Sequence, residues 1–203
     1  FERSPDGGQG LARDTRVRWA LEEARLPYEV RLVSFRAMKE PAHLAVHPFG
    51  QIPTYEEGEL ALFETGAILT YLADKTGQLI PPDAGGRYQT LQWLFFQVGG
   101  LGPMFGQVGF FHKFAGKTFE DKRPRDRYVN ESKRVLGVVN ERLEQRQWMM
   151  GDTYTVADIA IFPWVRNLIG FYEAGELVGI KEYPNVTRAL EAFVARPAVV
   201  RGL

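Results

Sequence analysis

One break organises this chain. Pro81-Pro82-Asp83-Ala84-Gly85-Gly86 sets two residues without an amide N–H beside a pair of glycines, a run that neither a helix nor a strand ladder continues through. The two sides of it have different periodicities. Before the break, apolar residues at 11, 12, 17, 20, 21 and 24 make a helical stripe, and Tyr28 to Val33 alternates with the period of a strand. Thr54-Tyr55-Glu56 and Leu60 to Phe63 flank Glu57-Gly58-Glu59 as a hairpin would, with Gly58 at the turn. Helical spacing resumes at Ala67, Ile68, Tyr71 and Leu72 and stops at Lys75-Thr76-Gly77. The expected order is helix, strand, proline-rich crossover, hairpin, helix.

Beyond the break no strand pattern is visible. Tyr88 to Phe96 reads as an aromatic helix, loosened by Gly99-Gly100 and Gly102-Pro103. Tyr128, Ser132, Val135, Leu136, Val139 and Leu143 trace one helical face. Val156 to Val165 is apolar nearly all round, as a helix buried on every side is. Val186, Ala189, Leu190, Phe193 and Val194 form a last stripe before Arg196-Pro197. These patterns predict an α/β domain over residues 1–81, a linker at 82–86 and an all-α domain over 87–203.

Composition removes several functions. Lys and Arg together equal Asp and Glu at 25 each, whereas a nucleic-acid binder needs a basic excess to displace counterions from phosphates. The chain has no cysteine, which rules out disulfides, thiolate metal sites and a cysteine nucleophile. No apolar run is long enough to span a bilayer, and Phe1 to Asp6 lacks signal-peptide organisation, so a cytoplasmic protein is expected. His43, His47 and His112 have no metal-ligand spacing, and no metal is expected.

Two motifs in the first part carry chemistry. Gly50-Gln51-Ile52-Pro53 stands directly before a strand. A cis Pro53 there leaves the backbone N–H and C=O of Ile52 open to a peptide ligand; a trans proline merely starts the strand. Phe63-Glu64-Thr65-Gly66 follows, ending a strand and starting a helix. The helix start suits a carboxylate, and the Glu64 carboxylate suits an ammonium. The pair fits both charges of an amino-acid head group. The competing reading has Thr65 capping the helix and Glu64 solvated.

These motifs in this order, joined by a hairpin, resemble the glutathione-binding domain of the glutathione transferase superfamily. The resemblance implies a thioredoxin-like first domain and an all-helical second one. It implies that Gln51, Ile52 and Pro53 meet the cysteinyl part of glutathione and that Glu64 and Thr65 clamp its γ-glutamyl end. Leu91-Gln-Trp-Leu-Phe-Phe-Gln-Val-Gly-Gly-Leu-Gly-Pro-Met-Phe-Gly-Gln107 is similar to a helix of nu-class bacterial transferases, some of which are glutathione-dependent disulfide-bond oxidoreductases. Phe1-Glu2-Arg3-Ser4-Pro5-Asp6-Gly7 resembles the nu-class pattern of strand end, Thr, Pro, Asn, Gly. Ser4 then takes the Thr position as donor to the glutathione thiolate, against the plain reading of a Ser-Pro-Asp-Gly turn. Asp6 departs from the pattern, because an ionised carboxylate only accepts; Gln9, Arg13 and Thr15 are the nearby donors that would compensate.

The expected activity is glutathione-dependent transfer or disulfide-bond reduction, with glutathione as co-substrate and a small electrophile or disulfide as partner. The alternative is a transferase-like binding or regulatory protein without turnover. Lys39 reaches the glycyl carboxylate of glutathione or is a solvated surface lysine. Phe105, Phe110, Phe111 and Phe114 wall an electrophile pocket or pack the core. Thr155 and Asp158, in Gly151-Asp-Thr-Tyr-Thr155-Val-Ala-Asp158-Ile159, have capping-box spacing, with Tyr154 and Ile159 as a hydrophobic staple. The resemblance places them at the start of a buried central helix and implies a homodimer.

Overall fold

A computed structural model describes residues 11–202. The chain forms two units, one running to Leu79 and taking back the last residues from Pro197, the other spanning Ile80–Arg196.

In the first unit α1 (Thr15–Ala24) buries Val17, Trp19, Ala20, Leu21 and Ala24. It ends where Arg25 turns left-handed, at φ 56°. The indole of Trp19 is fully buried and donates to the Val199 carbonyl at 3.0 Å, which ties the short last helix α9 (Pro197–Arg201) to α1. Arg201 adds an ion pair to Glu22 at 2.8 Å. A 3₁₀ turn (Ala37–Lys39) and the one-turn helix α2 (Pro41–Leu44) form the crossover. The hairpin of β1 (Tyr55–Glu57) and β2 (Leu60–Leu62) follows, paired antiparallel with Tyr55 opposite Leu62. Gly58 takes φ 58° at its turn. Helix α3 (Thr65–Thr76) buries Ile68, Leu69, Leu72 and Ala73 and stops at Gly77, φ 64°. Glu57 accepts from Tyr55, Tyr71 and Lys75 and so holds the hairpin to α3.

Residues 28–33, expected as a strand, are not assigned to one. A strand needs a partner for its N–H and C=O groups, and among the described residues the one sheet is the β1–β2 pair. Val30 and Leu32 are 50% and 60% exposed.

The second unit is all-helical apart from two isolated bridges at 148–153. Helix α4 (Ala84–Phe96) begins before the aromatic run that announced it, because Asp83 caps it by accepting from the Gly86 N–H at 2.8 Å. The glycines after it produce a π-turn, Gln97–Leu101, leading straight into α5 (Gly102–His112). At Gly102 a Cβ would meet the Gln97 side-chain nitrogen at 2.8 Å and the Trp164 indole nitrogen at 2.9 Å, so only glycine lets α5 start against that pair. Helix α6 (Arg123–Arg142) buries Val129, Ser132, Val135, Leu136 and Val139. Helix α7 (Val156–Ile169) is the core of the unit and exposes almost nothing along its length. Helix α8 (Pro184–Val194) packs Val186, Ala189 and Phe193 inward.

The start of α7 is the expected capping box. The Asp158 carboxylate accepts from the Thr155 N–H at 2.9 Å and the Thr155 hydroxyl at 3.2 Å, and the other oxygen accepts from the Met149 N–H at 2.8 Å. Phe105 is fully buried and belongs to the core rather than to a pocket wall. Phe111 stacks on Tyr128 at 5.6 Å, while Phe110 and Phe114 remain partly exposed.

Candidate functional site

The site expected from the sequence lies at one end of the hairpin. An antiparallel pair returns the chain to the end at which it entered, so Gln51-Ile52-Pro53 before β1 and Phe63-Glu64-Thr65 after β2 share that end. The Ile52–Pro53 peptide bond is cis. Among the described residues the Ile52 N–H donates to no other group, which leaves a backbone donor for a peptide-like ligand.

The corner before it depends on Gly50. This residue takes φ 58°, the left-handed region that favours glycine. A Cβ there would come within 2.8 Å of the Met38 carbonyl and 3.1 Å of both Leu44 and the Lys39 ammonium. The Gly50 carbonyl accepts from Lys39 Nζ at 2.8 Å, and the Gln51 carbonyl accepts from His43 Nε2 at 2.6 Å. A carbonyl only accepts, so Nε2 of His43 carries the proton. Lys39 is therefore committed to the crossover rather than merely solvated, and its ammonium, with three donors, keeps capacity for an anion.

Glu64 is held in a conformation few non-glycine residues adopt, with φ 70° and ψ 112°. Such strain concentrates at binding sites, where the surrounding structure imposes it. Glu64 is the residue before α3, and no side chain caps this helix. Thr65 is its first helical residue, so the reading of Thr65 as the cap does not hold. The first N–H groups of α3 and the positive end of its dipole are open to an anion. The Glu64 carboxylate makes no ion pair among the described residues. An uncapped helix start beside an unpaired carboxylate suits a zwitterionic head group, as the sequence suggested.

An aromatic stack joins the two halves of the site. His43 stacks on His47 with ring centres 5.9 Å apart, and His47 packs on Phe63 at 5.1 Å. His47 is buried, with its Nδ1 unpartnered. Burial, with His43 as the next cause, pushes its pKa below the ordinary histidine value. Nothing in the sequence pattern signalled this stack; its members are four and sixteen residues apart, without a motif. Ser4, Asp6 and Gln9 lie outside the described residues. Arg13 is exposed, and the Thr15 hydroxyl donates to the Ala12 carbonyl at 2.7 Å. Among the described residues no group of His, Cys, Asp and Glu is arranged to hold a metal ion, and no helix is long and apolar enough to cross a membrane.

Comparison with known proteins agrees with this geometry. The family model described as glutathione S-transferase, N-terminal domain, matches residues 8–74, and that described as glutathione S-transferase, C-terminal domain, matches 102–197. The chain is 40% identical over 194 residues to the disulfide-bond oxidoreductase YfcG of Escherichia coli, covering 90% of this chain and 86% of that one. A crystal structure of a Burkholderia graminis glutathione transferase with two glutathione molecules bound per subunit is similar at 64% identity and TM-score 0.88, over 93% of this chain and 82% of that one. A Pseudomonas putida glutathione transferase with one glutathione disulfide bound per subunit is similar at 55% identity and TM-score 0.89, over 93% and 85%. With a cis-proline corner, a strained acidic residue at an uncapped helix start, and both domains matched in order, this chain belongs to the glutathione S-transferase family, with a thioredoxin-like domain followed by an all-helical one.

Proposed function

We propose that the protein is a glutathione-dependent enzyme that reduces disulfide bonds, using the glutathione thiolate as its nucleophile. The observation that carries the reading is the uncapped start of α3, where Glu64 is strained and unpaired. Glu64 receives the α-ammonium of the γ-glutamyl group, and the α3 start, with the Thr65 hydroxyl, receives its carboxylate. Ile52 pairs its backbone with the cysteinyl part, against Gln51 and Pro53, and Lys39 turns its remaining donors to the glycyl carboxylate.

The chemistry follows from the absence of cysteine. No mixed disulfide forms on the protein, so both electrons come from two glutathione molecules. The first thiolate attacks one sulfur of the substrate disulfide and expels a thiol; the second attacks the resulting mixed disulfide. The products are glutathione disulfide and two thiols. Relatives solved with two glutathione molecules or with glutathione disulfide, and the name of the E. coli relative, support reduction over transfer to an electrophile. A free thiol is only a few per cent ionised at neutral pH, and we assign the activating hydrogen bond to the Ser4 hydroxyl.

Reduced glutathione is abundant in the cytoplasm, where we place the reaction. A homodimer is supported by the α4 surface, on which Tyr88 and Phe95 are 70% and 68% exposed and Val98 continues the apolar face. The test is glutathione-dependent consumption of NADPH through glutathione reductase, with a small dialkyl disulfide as substrate. A rate well above the uncatalysed exchange supports the enzyme. Glutathione binding with no rate above background, on disulfides and aryl electrophiles alike, would make the protein a binding or regulatory module.

A further inference from the structure

The corner before Pro53 is fixed in a way that the glutathione reading does not use. Two consecutive carbonyls are clamped by side chains of one segment: Gly50 by Lys39 at 2.8 Å and Gln51 by His43 at 2.6 Å. Lys39 is accounted for as a ligand group; His43 is not. We infer that His43, by its hydrogen bond to the Gln51 carbonyl, is a positioning residue that aims the Ile52 N–H at the cysteinyl part of glutathione. The inference rests on the glutathione reading and assigns a residue to that same site.

The Gln51 carbonyl and the Ile52 N–H belong to one planar peptide unit, and in a trans unit they point in opposite directions. Fixing the oxygen therefore fixes the direction of the N–H on the far side of the plane. The Ile52 N–H has no partner of its own among the described residues, so His43 supplies the restraint that an internal hydrogen bond would otherwise give. Lys39 does the same for the plane between Gly50 and Gln51. A donor held ready costs the ligand less ordering on binding than one it must first orient.

The restraint is itself braced. His43 lies on α2, a single turn with little rigidity of its own. Its ring stacks on His47 with an interplanar angle of 17°. His47 is 4% exposed and packs on Phe63, the residue before Glu64. The stack thus links the cysteinyl and γ-glutamyl halves of the site within one unit. Burial favours neutral His47, which spares Lys39 a second positive charge nearby.

The test separates the donor from the ring. His43→Phe keeps an aromatic ring on His47 and removes the donor. His43→Gln places an amide N–H near the position of Nε2, and His43→Asn places it near Nδ1, out of reach of Gln51. For each variant the glutathione dissociation constant is measured by calorimetry, KM and kcat by the coupled assay, and the Gln51 carbonyl and Ile52 amide shifts by NMR without ligand. We expect His43→Phe and His43→Asn to weaken glutathione binding about tenfold, the worth of roughly one hydrogen bond. KM should rise with kcat nearly unchanged, as for an interaction equal in ground and transition states. His43→Gln should recover most of the affinity. The Gln51 and Ile52 shifts should move in the first two variants and stay in the third. If His43→Phe fails to fold, the Gln and Asn variants decide. Wild-type affinity in His43→Asn, or equal loss in the Gln and Asn variants, overturns the role of His43 while the glutathione reading stands. A wild-type protein that binds no glutathione overturns both.

Discussion

Replacing Asp158 by alanine isolates the balance between burial and hydrogen bonding at the start of the central helix. The carboxyl is completely buried and receives the Met149 N–H, the Thr155 N–H and the Thr155 hydroxyl. Alanine leaves two buried backbone N–H groups without a partner, each costing about 1–3 kcal/mol; the freed Thr155 hydroxyl can turn elsewhere. Opposing this is the desolvated charge. Burial pushes the Asp158 pKa from 3.8 up to about 7, against the pull of those hydrogen bonds. Because the folded value lies above the unfolded one, the stability this group contributes is complete below about 3.8 and is lost as pH rises to about 7. Wild type should therefore exceed Asp158→Ala by about 2–6 kcal/mol near pH 4. That gap should shrink by about 1.4 kcal/mol per pH unit toward pH 7. Urea unfolding of both proteins across that range measures it. A gap that widens with pH would refute the reasoning, because the three donors would then be holding the carboxylate ionised. No gap at any pH would remove the capping box from the stability of the fold.

Two further substitutions probe the site. Glu64→Gly relieves a non-glycine residue at φ 70°. It should leave the melting temperature unchanged or raise stability by up to about 1–3 kcal/mol, the cost of such strain, while glutathione binding falls at least tenfold. Lower stability would mean that Glu64 serves the fold rather than the ligand. Gly50→Ala forces a Cβ to 2.8 Å from the Met38 carbonyl at a positive φ. It should destabilise by about 1–3 kcal/mol and weaken glutathione binding, as read by thermal unfolding and calorimetry. An unchanged variant would show the corner to be slack.

The sequence made some elements plain because their signals are local. Gly58 at a turn between alternating residues announced the hairpin, and Thr155 with Asp158 announced the helix start that the structure completes. The all-round apolar run at 156–165 announced a helix buried on every side. Readings that depend on a partner distant in sequence were less plain. The alternation at 28–33 has the period of a strand, and a strand exists only with another strand beside it; among the described residues none pairs with it. For Phe105, Phe110 and Phe114 the sequence left pocket wall and core packing both open, and burial divides them: Phe105 is in the core and the other two reach the surface. At the site, Gln51-Ile52-Pro53 and Glu64-Thr65 were legible as motifs. The strain at Glu64 was not, because backbone angles leave no trace in an acidic residue. Nor was the bond from His43 to Gln51, since a histidine on a short crossover helix carries no periodicity that points to a carbonyl eight residues on.

The central claim is that the hairpin end of the first unit binds glutathione through Glu64, the start of α3 and the backbone of Ile52. Calorimetric titration with reduced glutathione, of the wild type and of a Glu64→Ala, Thr65→Ala double variant, tests it most directly. Saturable one-to-one or two-to-one binding in the wild type, weakened at least tenfold in a double variant that melts normally, is the predicted result. No heat and no rise in melting temperature at millimolar glutathione, or equal binding by the double variant, would contradict it.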